Sequence, residues 1–342
     1  MSLKNLSVRK KIPKIYKSRL LNKRVNKIFK KFEKSFKINT NFIVAVSGGA
    51  DSLALAFLTK VYALKKNLNP RFFIVDHKLR DESTHEAHKV KRTLKSLKIN
   101  SYILTWKGKK PVNNIQSLAR SKRYELLFSK CKKLKISNLV LGHHMDDLIE
   151  NFFLRMARGS GLKGLVSFGM NTQIKDINLM RPLIKFEKKD LLFLSQFIFN
   201  FHIDDPSNYD VKFNRIKVRN LIKKFNDFGL DKKKFQLTIE NLKGSDQSIK
   251  FYVEKNKREN SIFNHRKIEI VLKEKFFDNS SEVIFRSLSD LIHLMGKRPN
   301  FVRGRKIENI MNKIKEGELR KETLGGCVIK MLNHTVILTK ER

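Results

Sequence analysis

Phe42-Ile43-Val44-Ala45-Val46-Ser47-Gly48-Gly49-Ala50-Asp51-Ser52 is the stretch whose reading decides the fold. Its five apolar residues, mostly β-branched, read as a buried strand. Leu53-Ala54-Leu55-Ala56-Phe57-Leu58 reads as the start of an apolar helix. The two glycines between them allow positive φ and close backbone approach. A strand–turn–helix junction of this kind leaves backbone N–H groups unpaired at the positive end of a helix, which makes an anion site. Ser47 and Ser52 add hydroxyls. Asp51 is the odd member, because a carboxylate repels phosphate unless Mg²⁺ bridges the two. Asp51 is therefore the candidate Mg²⁺ ligand. No lysine stands here in the Gly-x-x-x-x-Gly-Lys-Ser/Thr manner, so this is not the common ATPase loop. An ordinary strand-to-helix turn would account for the glycines, but not for two serines and a carboxylate as well.

Working outward, strands and helices alternate. Strands are expected at 71–77, 101–106 and 138–142, and helices at 83–98, 113–134 and 145–158. This alternation predicts an α/β fold with a doubly wound parallel sheet. The ligand of such a sheet sits beyond the carboxyl ends of its strands. Residues 47–52, 76–77 and 143–147 all fall at such ends, which points to one shared site. After about residue 222 the alternation stops. Residues 231–257 and 281–316 read mainly as helices, and 324–340 as a hairpin with its turn at Asn333-His334. Three regions follow: a basic N-terminal helical extension (1–37), a catalytic domain (38–222), and a smaller, mainly helical C-terminal domain ending in a β-hairpin (223–342). The extension carries fourteen Lys or Arg and one Glu. Leu21, Val25, Ile28, Phe29, Phe32 and Phe36 recur at helical spacing and predict one apolar stripe. An Arg- and Ser-rich organelle transit peptide is the alternative, but this stretch is rich in Lys.

The 342 residues suffice for two domains. No apolar run approaches the roughly eighteen residues of a membrane-spanning helix, so no membrane partner is expected. Cys131 and Cys327 are the only cysteines. They suit a reducing, cytoplasmic location and argue against a disulfide framework or a zinc or iron–sulfur site. The net charge is +42, with 74 Lys and Arg against 32 Asp and Glu. A polyanion is the direct reading, and nucleic acid the commonest one. Compositional drift towards Lys, Asn, Ile and Phe competes with it, but drift would raise Glu as well. The sequence allows a homodimer.

Leu141-Gly142-His143-His144-Met145-Asp146-Asp147-Leu148-Ile149-Glu150 is the second informative stretch. Asp146 and Glu150 are four apart and share a helix face. Two carboxylates near a nucleotide can hold Mg²⁺ or an ammonium group. A solvated acidic helix start, favoured by the helix dipole, is the plain alternative, though such a cluster is unexpected in so basic a chain. His143 and His144 are adjacent and cannot both serve one metal from a helix.

Residues 47–52 match the SGGxDS signature of the PP-loop ATP pyrophosphatases, which cleave ATP between its α and β phosphates and adenylate a substrate. Other motifs narrow the family. Residues 142–150 resemble the GHHxDDxxE of the tRNA(Ile)-lysidine synthetases. Asp76-His77-Lys78-Leu79-Arg80 looks like their DHxLR, and Ala119-Arg120-Ser121-Lys122-Arg123-Tyr124 like their ARxxRY. Arg181-Pro182-Leu183 looks like their RPL, and Asp205-Pro206-Ser207-Asn208, with Arg215 and Arg219, like DPSN and the basic segment after it. The matches run in family order over some 180 residues, and Leu324-Gly325-Gly326-Cys327 echoes a C-terminal motif. The chain departs at Asn151, where the family has Thr, and at Ile216 and Lys217, which interrupt the basic segment.

The resemblance implies an adenine nucleotide alpha hydrolase-like fold and a ligase. Its substrates would be ATP, free L-lysine and the tRNA(Ile) with a CAU anticodon, and the C-terminal domain would bind tRNA. ATP adenylates the C2 oxygen of the wobble cytidine, and the lysine ε-amine then displaces AMP to give lysidine. Ser47, Gly48, Gly49, Ala50, Asp51 and Ser52 would bind ATP. Asp51, Asp146, Asp147 and Glu150 are the catalytic candidates, Asp146 and Glu150 as partners of the lysine ammonium. His77, Arg80, Arg120, Arg123, Tyr124, His143, His144, Arg181, Asp205, Ser207, Asn208, Arg215 and Arg219 are the candidates for lysine or tRNA. Two alternatives stand beside this: a PP-loop tRNA 2-thiolation enzyme, which needs sulfur-carrying cysteines, and a catalytically inactive RNA-binding relative.

Overall fold

The structure is a computed structural model that describes residues 12–80, 82–108, 115–204, 214–298, 300–333 and 335–341, leaving out the side chains of 115–117, 214–216, 223 and 226. The chain divides into two compact units, Met1–Thr238 and Ile239–Arg342.

Unit 1 opens with α1 (Lys14–Leu20) and α2 (Lys23–Ser35). One continuous amphipathic helix is expected here. The chain breaks instead at Leu21 and Asn22, because the Asn22 side chain accepts from the N–H groups of Arg24 and Val25 and starts α2 afresh. Val25, Ile28, Phe29, Phe32 and Phe36 are buried as the stripe predicts, while Leu21 is 82% exposed. The basic faces of both helices point to solvent, and their apolar faces join the main core.

The strand–helix series follows: β1 (Ile43–Val46), α3 (Ala50–Lys66), β2 (Arg71–Asp76), α4 (Ser83–Ser96), β3 (Ser101–Thr105), α5 (Ile115–Leu134), β4 (Asn138–Val140) and α6 (Met145–Met156). Then come α7 (Leu162–Leu165), β5 (Asn171–Ile174), β6 (Ile177–Met180), α8 (Lys188–Phe199), α9 (Asn214–Asp227) and α10 (Lys232–Asn260). The sheet order is β3-β2-β1-β4-β6-β5. All pairings are parallel except β5 with β6. The β5–β6 hairpin lies outside the expected elements. Its two-residue turn places Lys175 at φ 51°, without the Asn or Gly that would announce it.

Alternation along β1 builds both layers. Ile43 packs with Leu127, Cys131 and Leu139 on the α5 side, whereas Val44 and Val46 join α2, α3 and α8 on the other. From Ala50 to Ala63, α3 is buried almost throughout, as a helix apolar on all sides must be. The strand order reverses between β1 and β4, so the carboxyl ends of these two strands flank the crevice where doubly wound sheets hold ligands. α9 and the start of α10 lie on α6, with Ile222 and Phe235 against Ile149 and Phe153.

In unit 2 the C-terminal hairpin is present and is the middle of a larger sheet. β7 (Ser261–Asn264), β8 (Glu269–Leu272), β9 (Lys321–Leu324), β10 (Cys327–Leu332) and β11 (Thr335–Lys340) form an antiparallel sheet in the order β7-β8-β11-β10-β9. Helices α11 (Ser281–Gly296) and α12 (Gly304–Lys315) supply the rest of its core through Leu288, Ile292, Ile307 and Ile310. Gly296 lies so close to the β9–β10 turn that a Cβ there would sit 2.0 Å from the Gly325 carbonyl oxygen. Gly296 thus permits the close approach of the α11 end to the turn that carries the glycine pair of the C-terminal motif.

Candidate active site

The phosphate loop is held from within. Ser52 Oγ accepts from the N–H groups of Ser47 and Gly48, both at 3.1 Å, and donates to the Gly49 carbonyl at 2.9 Å. Ser47 Oγ donates to it at 3.2 Å. The Ser52 hydroxyl is therefore spent on loop shape and buried, although the sequence offered it as a phosphate donor. No side chain caps α3, which leaves its first N–H groups, from Ala50 on, to meet an anion. Gly48 has φ 92°, and a Cβ there would lie 2.5 Å from Val90 Cγ2. Only glycine fits that position.

Asp51 faces the second motif. Its Oδ2 accepts from Lys188 Nζ at 2.7 Å and lies 3.6 Å from His144 Nε2. Its Oδ1 is buried with no protein partner. An orphaned carboxylate oxygen beside a phosphate loop fits a hard cation such as Mg²⁺. Among the described residues no group of three or more His, Cys, Asp or Glu could hold a metal, and Mg²⁺ asks for one or two carboxylates plus substrate phosphates rather than a protein cage.

His144 caps α6. Its Nδ1 accepts from the Asp146 N–H at 3.2 Å, while Asp147 Oδ2 accepts from the His144 N–H at 2.9 Å, a capping box. A neutral ring then carries its proton on Nε2, the nitrogen that faces Asp51 and Asp147. Burial tends to raise the Asp147 pKa, but His144, His143, the His144 N–H and Arg219 together hold it below the usual carboxylate value. Asp147 is thus an anion locked into the helix start.

Around His143 three guanidinium groups oppose one carboxylate. Burial lowers its pKa to about 4; Asp147 opposes this, while Arg181, Arg120 and Arg123 reinforce it. The ring sits edge-on to Phe168, with centroids 5.3 Å apart. The Arg181 guanidinium lies 4.5 Å from the centre of the same Phe168 ring and donates to the Gly169 carbonyl and Thr172. Arg120 donates to the Tyr124 hydroxyl at 3.3 Å. Arg123 Nε donates to His77 Nε2 at 3.2 Å, and burial together with Arg123 lowers His77 to about 4. Both histidines are neutral near pH 7, and Nδ1 of each is buried without a protein partner. Asp76 accepts from the Lys78 N–H, Ser83 and Thr84, which fixes the turn that carries His77 and Arg80. Arg80 pairs with Glu86 at 2.9 Å.

The two carboxylates read as one ammonium clamp have different partners. Glu150 is buried and accepts from Arg219 Nε at 2.8 Å. Asp146 is partly exposed and accepts from Lys232 Nζ at 2.8 Å. Asn151 accepts from Arg155 at 3.0 Å along the same helix. Asp205, Ser207 and Asn208 lie outside the described residues, as does the side chain of Arg215.

Lys188 and Lys232 were missed from sequence. Lys232 carries no signal, because it meets Asp146 only when α10 folds onto α6. Lys188 carries a faint one: it opens a helix, and cations are disfavoured at a helix N-terminus.

Comparison with known proteins fits this geometry. Residues 18–225 match the PP-loop domain family. The chain is 33% identical over 325 residues to a tRNA(Ile)-lysidine synthase of Orientia tsutsugamushi, covering 90% of this chain and 71% of that one. It is 32% identical over 308 residues to a tRNA(Ile)-lysidine synthase of a Wolbachia from Brugia malayi, covering 89% and 71%. A U34-tRNA thiolase from Methanococcus maripaludis, solved with its 4Fe–4S cluster, shares the fold: the TM-score is 0.54 at 18% identity, over 64% of this chain and 80% of that one. With the phosphate loop and the strand-end motifs gathered at one crevice, the chain belongs to the tRNA(Ile)-lysidine synthase family of PP-loop proteins.

Proposed function

We propose that the chain ligates free L-lysine to C2 of the wobble cytidine in a CAU-anticodon tRNA(Ile), with ATP as the activating substrate. The observation that carries this reading is the junction of the phosphate loop with the α6 start, where His144 Nε2 lies 3.6 Å from Asp51 and 3.7 Å from Asp147 at the sheet's switch point. In the first step the cytidine C2 oxygen attacks the α-phosphorus, the bond to the β-phosphate oxygen breaks, and pyrophosphate leaves with the electron pair. In the second step the lysine ε-amine attacks C2, the C2–O bond breaks, AMP leaves with the oxygen, and the amine loses a proton. Splitting the exchange in two replaces a poor leaving oxygen with AMP.

The chain's residues divide the work. The first N–H groups of α3 receive phosphate oxygens. Asp51 would hold Mg²⁺, which supplies charge neutralisation at the leaving phosphates. The amine starts as an ammonium with a pKa near 10.4, so it needs an anion to bind it and a route for its proton. Asp146 suits the binding better than Glu150, because it is more exposed and already receives an alkylammonium from Lys232. Arg120, Arg123, Arg181, Tyr124, His77 and His143 form a cationic, partly aromatic wall suited to RNA phosphates and a splayed base. Asp205, Ser207, Asn208, Arg215 and Arg80 remain in the proposal by family resemblance. The basic faces of α1 and α2 and the 239–342 unit would hold the tRNA body. Cytoplasmic placement, where tRNA is modified, belongs to the same reading; among the described residues no helix is long and apolar enough to cross a membrane.

The thiolation reading lacks its chemistry. Burial pushes the Cys131 thiol up to about 11 and the Cys327 thiol up to about 12, and two cysteines are too few for the usual cysteine ligation of an iron–sulfur cluster. Incubation with CAU tRNA(Ile), ATP and labelled lysine tests the proposal. Label in the tRNA with stoichiometric AMP and pyrophosphate is expected; pyrophosphate without lysine transfer, or neither product, would exclude it.

A further inference from the structure

Lys188 belongs to none of the sequence motifs, yet its Nζ lies 2.7 Å from Asp51 Oδ2. Its position is built. The chain leaves β6 through Arg181, and Leu183 and Phe186 are fully buried. The Phe186 carbonyl accepts from the Met145 N–H at 3.1 Å, at the start of α6. Lys31 donates to the Lys185 carbonyl at 2.8 Å and stands over the Phe186 ring. The backbone just before Lys188 is therefore pinned to α2 and to the start of α6.

Stability does not explain the residue. Lys188 occupies the first turn of α8, where the helix dipole opposes a cation. Its side chain is 40% exposed, and ion pairs that exposed contribute little. The other charges of this turn are matched, Lys189 with Glu187 at 2.7 Å and Asp190 with Arg24 at 3.1 Å. Only Lys188 turns to the phosphate loop.

That loop is short of positive charge. It contains no lysine of its own and includes a carboxylate. The β- and γ-phosphates of ATP carry about three negative charges, and one Mg²⁺ leaves part of that unbalanced. A lysine brings three rotatable donors on a flexible four-carbon stem, so a small swing from Asp51 reaches oxygens bound at the α3 N-terminus.

We propose that Lys188 binds the β- and γ-phosphate oxygens of ATP and stays with pyrophosphate as it leaves, supplying from α8 the cation that the common ATPase loop carries within itself. This rests on the nucleotide reading above. When the bond between the α-phosphorus and the bridging oxygen breaks, the electron pair goes to pyrophosphate, and the charge that appears there is the charge Lys188 meets. No proton transfer is required.

The test is calorimetric binding of α,β-methylene-ATP and of AMP, each with Mg²⁺, to the full chain and to Lys188→Met, Lys188→Gln and Lys188→Arg, with melting curves for each. The uncharged variants should bind the ATP analogue about tenfold to a hundredfold more weakly, the range of a hydrogen bond to a charged group. AMP binding should stay within about twofold, and Lys188→Arg should recover part of the loss. Wild-type affinity for the analogue in either folded uncharged variant would overturn the proposal and leave Lys188 a mere counter-ion of Asp51. Equal weakening of AMP and the analogue would also overturn it, since the lysine would then act through loop shape. If the wild-type chain bound neither nucleotide, the nucleotide reading would fail and this proposal with it.

Discussion

At the residue scale, Asp51 combines three roles that rarely meet: it opens a helix, pairs with a lysine, and keeps one oxygen buried and unpartnered. Asp51→Asn preserves its shape and removes its charge. Pyrophosphate release should fall at least a hundredfold, the usual cost of losing one electrostatic stabiliser of a transition state. The melting temperature should barely move, because the pair with Lys188 is part-exposed and worth at most about 1 kcal/mol. A pyrophosphate assay beside a thermal melt checks both halves. His77 and His143 supply a pH signature. Burial lowers each from 6.5 to about 4. Each is neutral when folded, while the unfolded chain takes up a proton below about pH 6.5. Their contribution is thus fully present above about pH 6.5 and is lost as the pH falls towards 4, by at most about 3 kcal/mol each. Asp76 and Asp147 lie below the usual carboxylate value, so their losses come at more acid pH. Urea unfolding at pH 7, 5.5 and 4.5 should show the decline, and His143→Phe should flatten it. Parallel declines in both proteins would mean that His143 is not held neutral.

At the scale of elements, α6 carries two carboxylates with separate work. Glu150 faces inward to Arg219, and Asp146 faces outward to Lys232. Glu150→Gln removes the buried negative charge from an ion pair whose other member is 41% exposed. That should cost about 1–3 kcal/mol, below the 3–5 kcal/mol of a fully buried pair. Asp146→Asn should leave stability nearly unchanged and raise the lysine KM at least tenfold, with ATP binding intact. Denaturation midpoints and single-turnover lysine transfer separate the two. A stable Glu150→Gln with a raised lysine KM would reverse the assignment. α2 shows the same division of faces: Phe29 and Phe32 are buried, while Lys23, Lys27 and Lys30 point to solvent.

For the whole molecule the net charge of +42 sets the expectation. Binding of tRNA should weaken steeply with salt, with a log–log slope of several units at about 0.7–0.9 per phosphate neutralised. Replacing Lys23, Lys27 and Lys30 with Gln should lower the slope and weaken all tRNAs alike, because phosphate contacts carry little sequence information. Filter binding between 50 and 300 mM KCl, ~0.05–0.3 M, measures this. A slope near zero would make the charge compositional. Deleting residues 1–20 is a poor substitute, since it would pull Tyr16 out of the core, where its hydroxyl donates to the Leu97 carbonyl.

The parallel sheet was legible because its signals are local. Apolar runs such as 42–46 and 72–75, followed by helical periods, can satisfy their backbone and bury their side chains only as strand–helix units. The phosphate loop was legible because glycine, serine and aspartate at fixed spacing have few other reasons to meet. The break at Asn22 and the β5–β6 hairpin were harder to see, as a side-chain cap and a lysine in a left-handed turn are weak marks in sequence. The partners of Asp51, Asp146 and Glu150 were decided by tertiary structure alone. Asp146 and Glu150 lie one helical turn apart and look equivalent, yet α9 brings Arg219 to one and α10 brings Lys232 to the other. Lys188 reaches Asp51 across 137 residues only because β6 delivers it there. An ionic partner is fixed by distance in space, and at such separations the order of residues says nothing about it until the core has formed.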